Sequence, residues 1–370
     1  MVNKFLVPPG FKDSLTFDTF IEHQYKNLII NSFRENGFSL IKTPLIEFSS
    51  NLDANTLSLN TKKQQPKLSI RNDITPQIIR VVTSRLSKKI RPLKLCYYGE
   101  VVRKKGSILR PERQFQQVGA EIIGADSYKA DVEIINLAYQ TLKNIGVKNI
   151  VIEISAPFFL ENLLKTIKDK KLENDLVKFI ALKDLTNCLK LIKSSEIRNN
   201  FQNLYLASGS IKNNKLKNLK FLNYINEKEV KRLFKISSLI KVSKNDSINF
   251  DFFEIQKNKK YYKGIKFTFF ARGVRGEIAG GGRYSFKNKQ KTEEAIGYTC
   301  YMDTVVRASS FKNMNKKILI HFDTNSKIEK SLINDGYTLF KTFDEKLDIK
   351  KQAKKFGIMY YLSNKMIKKI

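Results

Sequence analysis

The sequence predicts an α+β chain: a mostly antiparallel sheet with flanking helices, interrupted by a helical insertion and followed by a small α/β unit. Three observations carry that expectation. Phe17, Phe20, Ile21, Tyr25, Leu28, Ile29 and Phe33 recur at three- and four-residue intervals, the signature of one apolar stripe on a helix. Leu93–Arg103 and Gln114–Ile123 read as strands, the second with Gln117 and Glu121 alternating with Val118, Ala120 and Ile122. Residues from about 157 to 242 carry Leu, Ile, Phe and Lys at helical spacing with almost no glycine, whereas glycines concentrate at Ile278-Ala-Gly-Gly-Gly282.

Taken in order, the first helix should end at Gly37, and a strand should follow through Leu40–Glu47. Strands around Lys67–Ile70, Leu93–Arg103 and Gln114–Ile123 then alternate with helices near Pro76–Arg85 and Tyr128–Asn144. After the helical insertion, Phe250–Ile255 and Tyr261–Phe270 are expected to form a hairpin closed by Gln256–Lys260. Thr292–Ala308 is expected to form a closing helix, and the Lys-rich stretch Phe311–Lys316 a hinge. The last segment reads β-α-β-α-β, with strands at Ile318–Phe322, Tyr337–Phe340 and Ile358–Leu362 and helices near Ser326–Asn334 and Leu347–Phe356. The expected division is therefore 1–310 for the main domain, with its insertion at about 157–242, and 317–370 for the small unit. A length of 370 residues suffices for one large core with an appendage.

Composition narrows function less than it first promises. The formal charge of +33 would ordinarily point to nucleic acid or an anionic surface. Of the 68 basic residues, however, 14 are arginine and the other 54 lysine, spread from Lys4 to Lys369 without a concentrated block. Lys, Asn, Ile and Phe are abundant together, as A/T-rich coding imposes, so codon bias is preferred to a dedicated nucleic-acid face. Cys96, Cys188 and Cys300 show no CxxC spacing and the histidines are His23 and His321, which predicts no metal site. An odd, sparse cysteine count fits a reducing compartment. Pro8-Pro-Gly10 precedes any apolar signal region, and no run approaches the roughly 20 apolar residues of a membrane span. A soluble, cytoplasmic protein without cofactor is expected.

The chemistry concentrates in Tyr98-Gly-Glu-Val-Val-Arg103 and Arg113-Gln-Phe-Gln-Gln-Val-Gly-Ala-Glu121. On a strand, Gln117, Gly119 and Glu121 share one face while Val118, Ala120 and Ile122 share the other. Gln117 and Glu121 lie roughly 13 Å apart along the backbone at about 3.3 Å per residue. The glycine between them is expected to leave room for a small zwitterion.

With Arg71-Asn-Asp-Ile-Thr-Pro-Gln77, Tyr261-Tyr-Lys-Gly264 and Ala279-Gly-Gly-Gly-Arg-Tyr284, these segments resemble, in order and spacing from Pro8 to about Ala308, the class II histidyl-tRNA synthetase catalytic domain. The resemblance implies a class II aminoacyl-tRNA synthetase-like fold and a homodimer formed by the first helix and the strand around Pro44. It also implies a histidine pocket in which Asp73, Thr75 and Gln117 meet the amino group, Arg103 the carboxylate, and Glu121 with Tyr262 the imidazole, with Tyr261 beside them. Such roles suit these residue types: carboxylate and amide acceptors for an ammonium, a guanidinium for a carboxylate, a partner for each ring nitrogen.

The parts that handle ATP depart from the family's pattern. Its arginine ahead of the paired tyrosines is matched by Lys257-Asn-Lys-Lys-Tyr-Tyr262. Its closing Gly-x-x-x-Gly-x-Glu-Arg becomes Gly297-Tyr-Thr-Cys-Tyr-Met-Asp-Thr304, so that Tyr301 replaces a glycine and Thr304 an arginine. Arg103 is followed by Lys104-Lys105, and lysine does not replace a stacking, bidentate arginine. A retained histidine pocket, a dismantled nucleotide site and a short C-terminal unit resemble the regulatory subunits of ATP phosphoribosyltransferase. That resemblance implies a non-catalytic subunit, a short-form ATP phosphoribosyltransferase catalytic subunit as partner, and L-histidine as feedback effector. The alternatives are a divergent histidyl-tRNA synthetase, favoured by Arg103, Arg113 and Gly280-Gly-Gly-Arg283, and an RNA-binding synthetase paralogue.

Overall fold

The computed structural model describes residues 5–49, 55–59, 66–213, 215–221, 227–255, 264–309, 316–344 and 348–370. The chain divides into two compact units, Met1–Ser310 and Phe311–Ile370.

The first unit opens with helix α1 (Thr16–Glu35), which buries Ile21, Tyr25, Ile29, Ile30 and Phe33. Strand β1 (Ser39–Ile41) follows, then the short β2 (Ile46–Phe48), β3 (Leu57–Leu59) and β4 (Leu68–Ile70). Helix α2 (Thr75–Ser84) leads into the long antiparallel pair β5 (Leu93–Val102) and β6 (Gln114–Ile123), helix α3 (Tyr128–Asn144) and β7 (Ile150–Ser155). Next comes the helical segment: α4 (Pro157–Lys165), α5 (Lys170–Ala181), α6 (Leu185–Leu191), α7 (Ser195–Ala207), a two-residue β8 (Gly209–Ser210) and α8 (Glu227–Leu239). Side chains of Asp169, Asp184 and Ser194 accept backbone N–H bonds at the starts of α5, α6 and α7, which explains why polar breaks separate these helices. The unit ends with β9 (Ser247–Phe250), β10 (Lys266–Ala271), β11 (Ala279–Asn288), β12 (Lys291–Tyr301) and α9 (Met302–Ala308).

Nine strands form one sheet in the order β1-β5-β6-β12-β11-β10-β7-β9-β8, and β2, β4 and β3 form a small antiparallel sheet. One face of the large sheet, with Val118, Ala120, Ile122, Ile296, Tyr298 and Cys300, packs into the main core with α1, α3 and α9 residues. The other face carries a second cluster, Ile74, Ile78, Leu95, Tyr97, Phe115 and Tyr284, beneath α2. The candidate site lies on this second side.

Three sequence expectations are corrected. The strand expected over Leu40–Glu47 breaks in two: β1 pairs parallel with β5, and β2 antiparallel with β4. Pro44 between them has no N–H to donate to a ladder, and its carbonyl, like that of Thr43, accepts instead from the Arg71 guanidinium. The expected closing segment Gln256–Lys260 lies outside the described residues, and among the described residues β9 and β10 do not pair with each other, because β7 stands between them, parallel to the first and antiparallel to the second. Flanking the isoleucine-rich β7 places Ile248, Phe250, Phe267 and Phe269 in one core with Ile150, Ile152 and Ile154, which a two-stranded ribbon alone would leave half exposed. The closing helix is confined to Met302–Ala308. Residues 291–301 alternate with period two, sending Ile296, Tyr298 and Cys300 into the main core and Ala295 into the second cluster, so β12 takes a central place between β11 and β6.

The second unit comprises β13 (Lys316–His321), α10 (Ser326–Asn334), β14 (Tyr337–Thr342), α11 (Ile349–Lys355), β15 (Tyr360–Ser363) and β16 (Met366–Lys369), in the order β14-β13-β15-β16. The pattern β-α-β-α-β is present with one further strand. β16 folds back on β15 through Asn364 and Lys365, both at positive φ, the conformation of a tight two-residue hairpin turn. Among the described residues no helix is long and apolar enough to cross a membrane.

Candidate functional site

Two adjacent glycine-containing strand pairs shape a cleft of about 240 Å3 on the outer face of the sheet. That is below the ~300–1,000 Å3 of sites for drug-sized ligands, and it suits one small polar molecule. Asp73, Thr75, Arg103, Gln117 and Glu121 all line it, together with Asn55, Asn72, Tyr284, Thr299 and Tyr301. Gly280, Gly281, Gly282 and Gly297 bring backbone close to the same space. Tyr261 and Tyr262 lie outside the described residues.

Glu121 forms the floor. Its side chain is buried, and Thr75 Oγ1 donates to Oε1 at 3.0 Å while Tyr284 Oη donates to Oε2 at 3.0 Å. Tyr97 Oη stands 3.5 Å from Oε1, 3.2 Å from Thr75 Oγ1 and 2.7 Å from Thr299 Oγ1, completing a cage of hydroxyls. Burial pushes the Glu121 carboxyl up to about 8, against the lowering effect of the Thr75 and Tyr284 hydrogen bonds and with a smaller push from the Asp73 charge. At neutral pH this carboxyl therefore holds a proton. Burial also drives the Tyr97 and Tyr284 hydroxyls well above their ordinary range, so both remain donors.

The space over Gly119 is not open to a ligand, which corrects the sequence expectation. Tyr97, paired with Gly119 across β5 and β6, places Cζ and Oη 2.5 Å from where a Cβ would stand. The glycine makes room for the tyrosine ring, and the ring carries the hydroxyl network between Thr75 and Thr299.

Gln117 is likewise engaged: its Oε1 accepts from the backbone N–H of Ile74 at 3.2 Å, and Asp73 Oδ1 accepts from the same N–H at 2.9 Å. Both acceptors hold the start of α2, where Thr75 is followed by Pro76 in the first turn. Arg71 anchors this segment from below, donating to Glu100 O at 2.8 Å, to Thr43 O at 3.0 Å and to Gln77 Oε1 at 3.2 Å. It is a scaffold clamp. Arg103 lies over the Phe115 ring, 4.8 Å from the centroid, while Arg113 donates to Arg103 O at 3.1 Å.

The Arg110 guanidinium lies 3.9 Å from the Tyr301 ring centroid and donates to Thr304 Oγ1 at 3.1 Å, and Thr304 is fully buried. Arg283 points away from the cleft: it pairs with the buried Asp131 of α3 at 2.6 Å and donates to Ala125 O and Ser127 O.

Sequence reasoning missed Tyr97, Tyr284 and Thr299. Tyr284 was open to the same alternation argument as Gln117, since it stands two residues beyond Gly282 on one strand. Tyr97 was not, because its place over Gly119 depends on a cross-strand register.

A family model described as histidyl-tRNA synthetase matches residues 10–305. The ATP phosphoribosyltransferase regulatory subunit of Rhodospirillum centenum is 28% identical over 363 residues, which cover 95% of this chain and 93% of the relative. That of Rhodospirillum rubrum is 30% identical over 314 residues, 81% of this chain and 80% of the relative. Among solved structures, an ATP phosphoribosyltransferase regulatory subunit/histidyl-tRNA synthetase from Bacillus halodurans superposes with a TM-score of 0.80 at 20% identity, over 95% of this chain and 96% of that one. A chain of the ATP phosphoribosyl transferase (HisG:HisZ) complex from Thermotoga maritima gives 0.60 at 19% identity, over 76% and 98%. With the synthetase-like sheet, the cleft on its outer face and relatives matched over 80% and 93% of their length, the chain belongs to the histidyl-tRNA synthetase family and, within it, to the ATP phosphoribosyltransferase regulatory subunits.

Proposed function

We propose that this chain is the non-catalytic regulatory subunit of a heteromeric ATP phosphoribosyltransferase, which opens histidine biosynthesis by joining ATP to phosphoribosyl pyrophosphate, and that it confers feedback inhibition by L-histidine. Its partner is a short-form catalytic subunit. The observation that carries the histidine assignment is Glu121, a buried carboxyl caged by Thr75, Tyr97 and Tyr284 at the floor of a one-residue-sized cleft, its pKa raised by that burial. A neutral imidazole offers one N–H donor and one acceptor nitrogen. A carboxylic acid can donate to that acceptor, or pass its proton and become the anionic partner of an imidazolium. At the rim, Asp73 suits the ammonium group and Arg103 the carboxylate, and Tyr262 is assigned to the second ring nitrogen with Tyr261 beside it.

Inhibition requires that histidine bind the less active state more tightly. A coupling of about 1–3 kcal/mol gives a roughly 5–150-fold response. The Arg110–Tyr301 stack and the buried Thr304 favour this reading over a synthetase, whose histidine-dependent ATP–pyrophosphate exchange needs an accessible nucleotide site. Phe17, Phe20 and Leu28 on α1, and Leu40, Leu45, Ile46 and Phe48 after it, are 36% to 50% exposed in the single chain and support a homodimeric core within the complex.

Calorimetric titration of L-histidine into the wild-type chain and into Glu121→Ala tests the assignment. The variant is expected to bind at least ~10-fold more weakly, the loss of a buried hydrogen-bonded partner, while still forming the complex with the catalytic subunit. Unchanged histidine affinity in the variant would remove Glu121 from the site.

A further inference from the structure

Between β5 and β6 the chain makes a tight turn, Ser107-Ile108-Leu109-Arg110, whose tip is apolar and whose root is buried. The turn is closed by its own bonds: Ser107 N–H donates to Arg110 O at 2.7 Å, and Arg110 N–H donates to Ser107 Oγ at 3.0 Å. Behind it, Arg275 donates to Ile108 O, and Gly276, at φ +85°, sits where a Cβ would stand 3.1 Å from Leu109 O. The Arg110 side chain is 3% exposed, anchored on Glu277 O at 2.7 Å and stacked on Tyr301. Turn tips favour Gly, Asn, Asp and Ser for backbone reasons. Here the tip carries Ile108, 85% exposed, and Leu109, 58% exposed.

From these contacts we infer that the turn is a docking knob for the catalytic subunit, received by an apolar socket edged with carboxylates. The inference rests on the regulatory-subunit reading and adds the surface through which it acts. Two aliphatic side chains on a turn fixed at both ends lose little conformational freedom when buried, which is the condition for a strong, small contact. The collar is mostly basic: Lys104 and Lys105, just before the turn, and Arg275 behind it are exposed against a single half-exposed Glu277 at its root, and neither lysine makes an ion pair among the described residues. A second copy of this chain would set that collar against itself, so charge complementarity selects a different, acidic partner surface. The knob's root also touches the histidine cleft, since the ring that supports Arg110 is that of Tyr301, a cleft-lining residue. Docking surface and ligand site thus share one side-chain contact.

The test is the affinity of the full-length chain for its short-form catalytic subunit, measured by sedimentation or biosensor binding. It compares wild type with Ile108→Ser/Leu109→Ser and with Lys104→Glu/Lys105→Glu. The first variant is expected to weaken binding by ~30-fold, as loss of an interface anchor does, and the second to slow association and to blunt its dependence on salt. Both are expected to titrate L-histidine like wild type, which shows that they are folded. Wild-type affinity for the catalytic subunit in both variants would overturn the docking site while leaving the regulatory reading intact. No binding by the wild-type chain would overturn the regulatory reading and the docking site with it.

Discussion

Gly297 and Glu121 face each other across β12 and β6, and a methyl group on Gly297 would stand 1.6 Å from Glu121 Oε2. The carboxyl occupies the volume that any side chain at 297 would need. The same methyl would lie 2.7 Å from Ala120 O, which belongs to a central strand and cannot shift independently. Gly297→Ala is therefore expected to drive the carboxyl out of its cage of hydroxyls, weakening histidine binding by at least ~10-fold and lowering stability by about 1–3 kcal/mol, the usual penalty for overpacking. Calorimetry and denaturant unfolding check the two effects separately.

The raised Glu121 pKa makes stability depend on pH in a definite direction. An unfolded carboxyl ionises near 4.5, whereas this one holds its proton up to about 8 in the folded chain. Its favourable contribution is complete below 4.5 and declines as pH rises through the folded value, reaching its floor above about 8. Glu121→Gln is expected to flatten that decline, so the difference in unfolding free energy between variant and wild type should move in the variant's favour from pH 5 to pH 9. Parallel pH profiles for the two proteins would contradict the protonated carboxyl. Histidine binding should have its optimum between roughly 6.5, where a free imidazole titrates, and about 8, because ligand and carboxyl share one proton in that window.

Asp131 is fully buried between two arginines, paired with Arg283 at 2.6 Å and with Arg232 of α8 at 2.7 Å. It ties the glycine-rich strand β11 to the helical insertion. Asp131→Asn removes the buried anion, and the two guanidinium groups keep the more exposed Asp126, 2.9 Å from Arg232 and 4.0 Å from Arg283, so an unfolding loss of about 1–3 kcal/mol is expected. The affinity of the folded protein for histidine should be unchanged, because Arg283 and Asp131 lie on the face of the sheet opposite the cleft. A variant of wild-type stability but weakened histidine binding would place Arg283 in the site instead.

What could be read from sequence was local and periodic. The alternation of Gln117 and Glu121 with Val118, Ala120 and Ile122 divides β6 correctly between cleft and core, because a strand's two faces follow from spacing alone. The register that sets Tyr97 over Gly119, and the insertion of β7 between β9 and β10, are non-local pairings with no signal in either segment. β12 departs from expectation for another reason: the resemblance of the Gly297-to-Thr304 motif to a closing helix outweighs, in sequence, the two-residue period of Ile296, Tyr298 and Cys300 that decides the structure. Arg71 and Arg283 show that a charged residue in a family-like motif can be a buried clamp, a role decided only by its partners.

The most direct measurement is the phosphoribosyltransferase activity of the short-form catalytic subunit from the same organism, with and without this chain and with and without L-histidine. The account predicts activity that histidine inhibits only when this chain is present, with sensitivity lost in Glu121→Ala while the complex persists. Identical activity and identical histidine response whether or not the chain is added would contradict it.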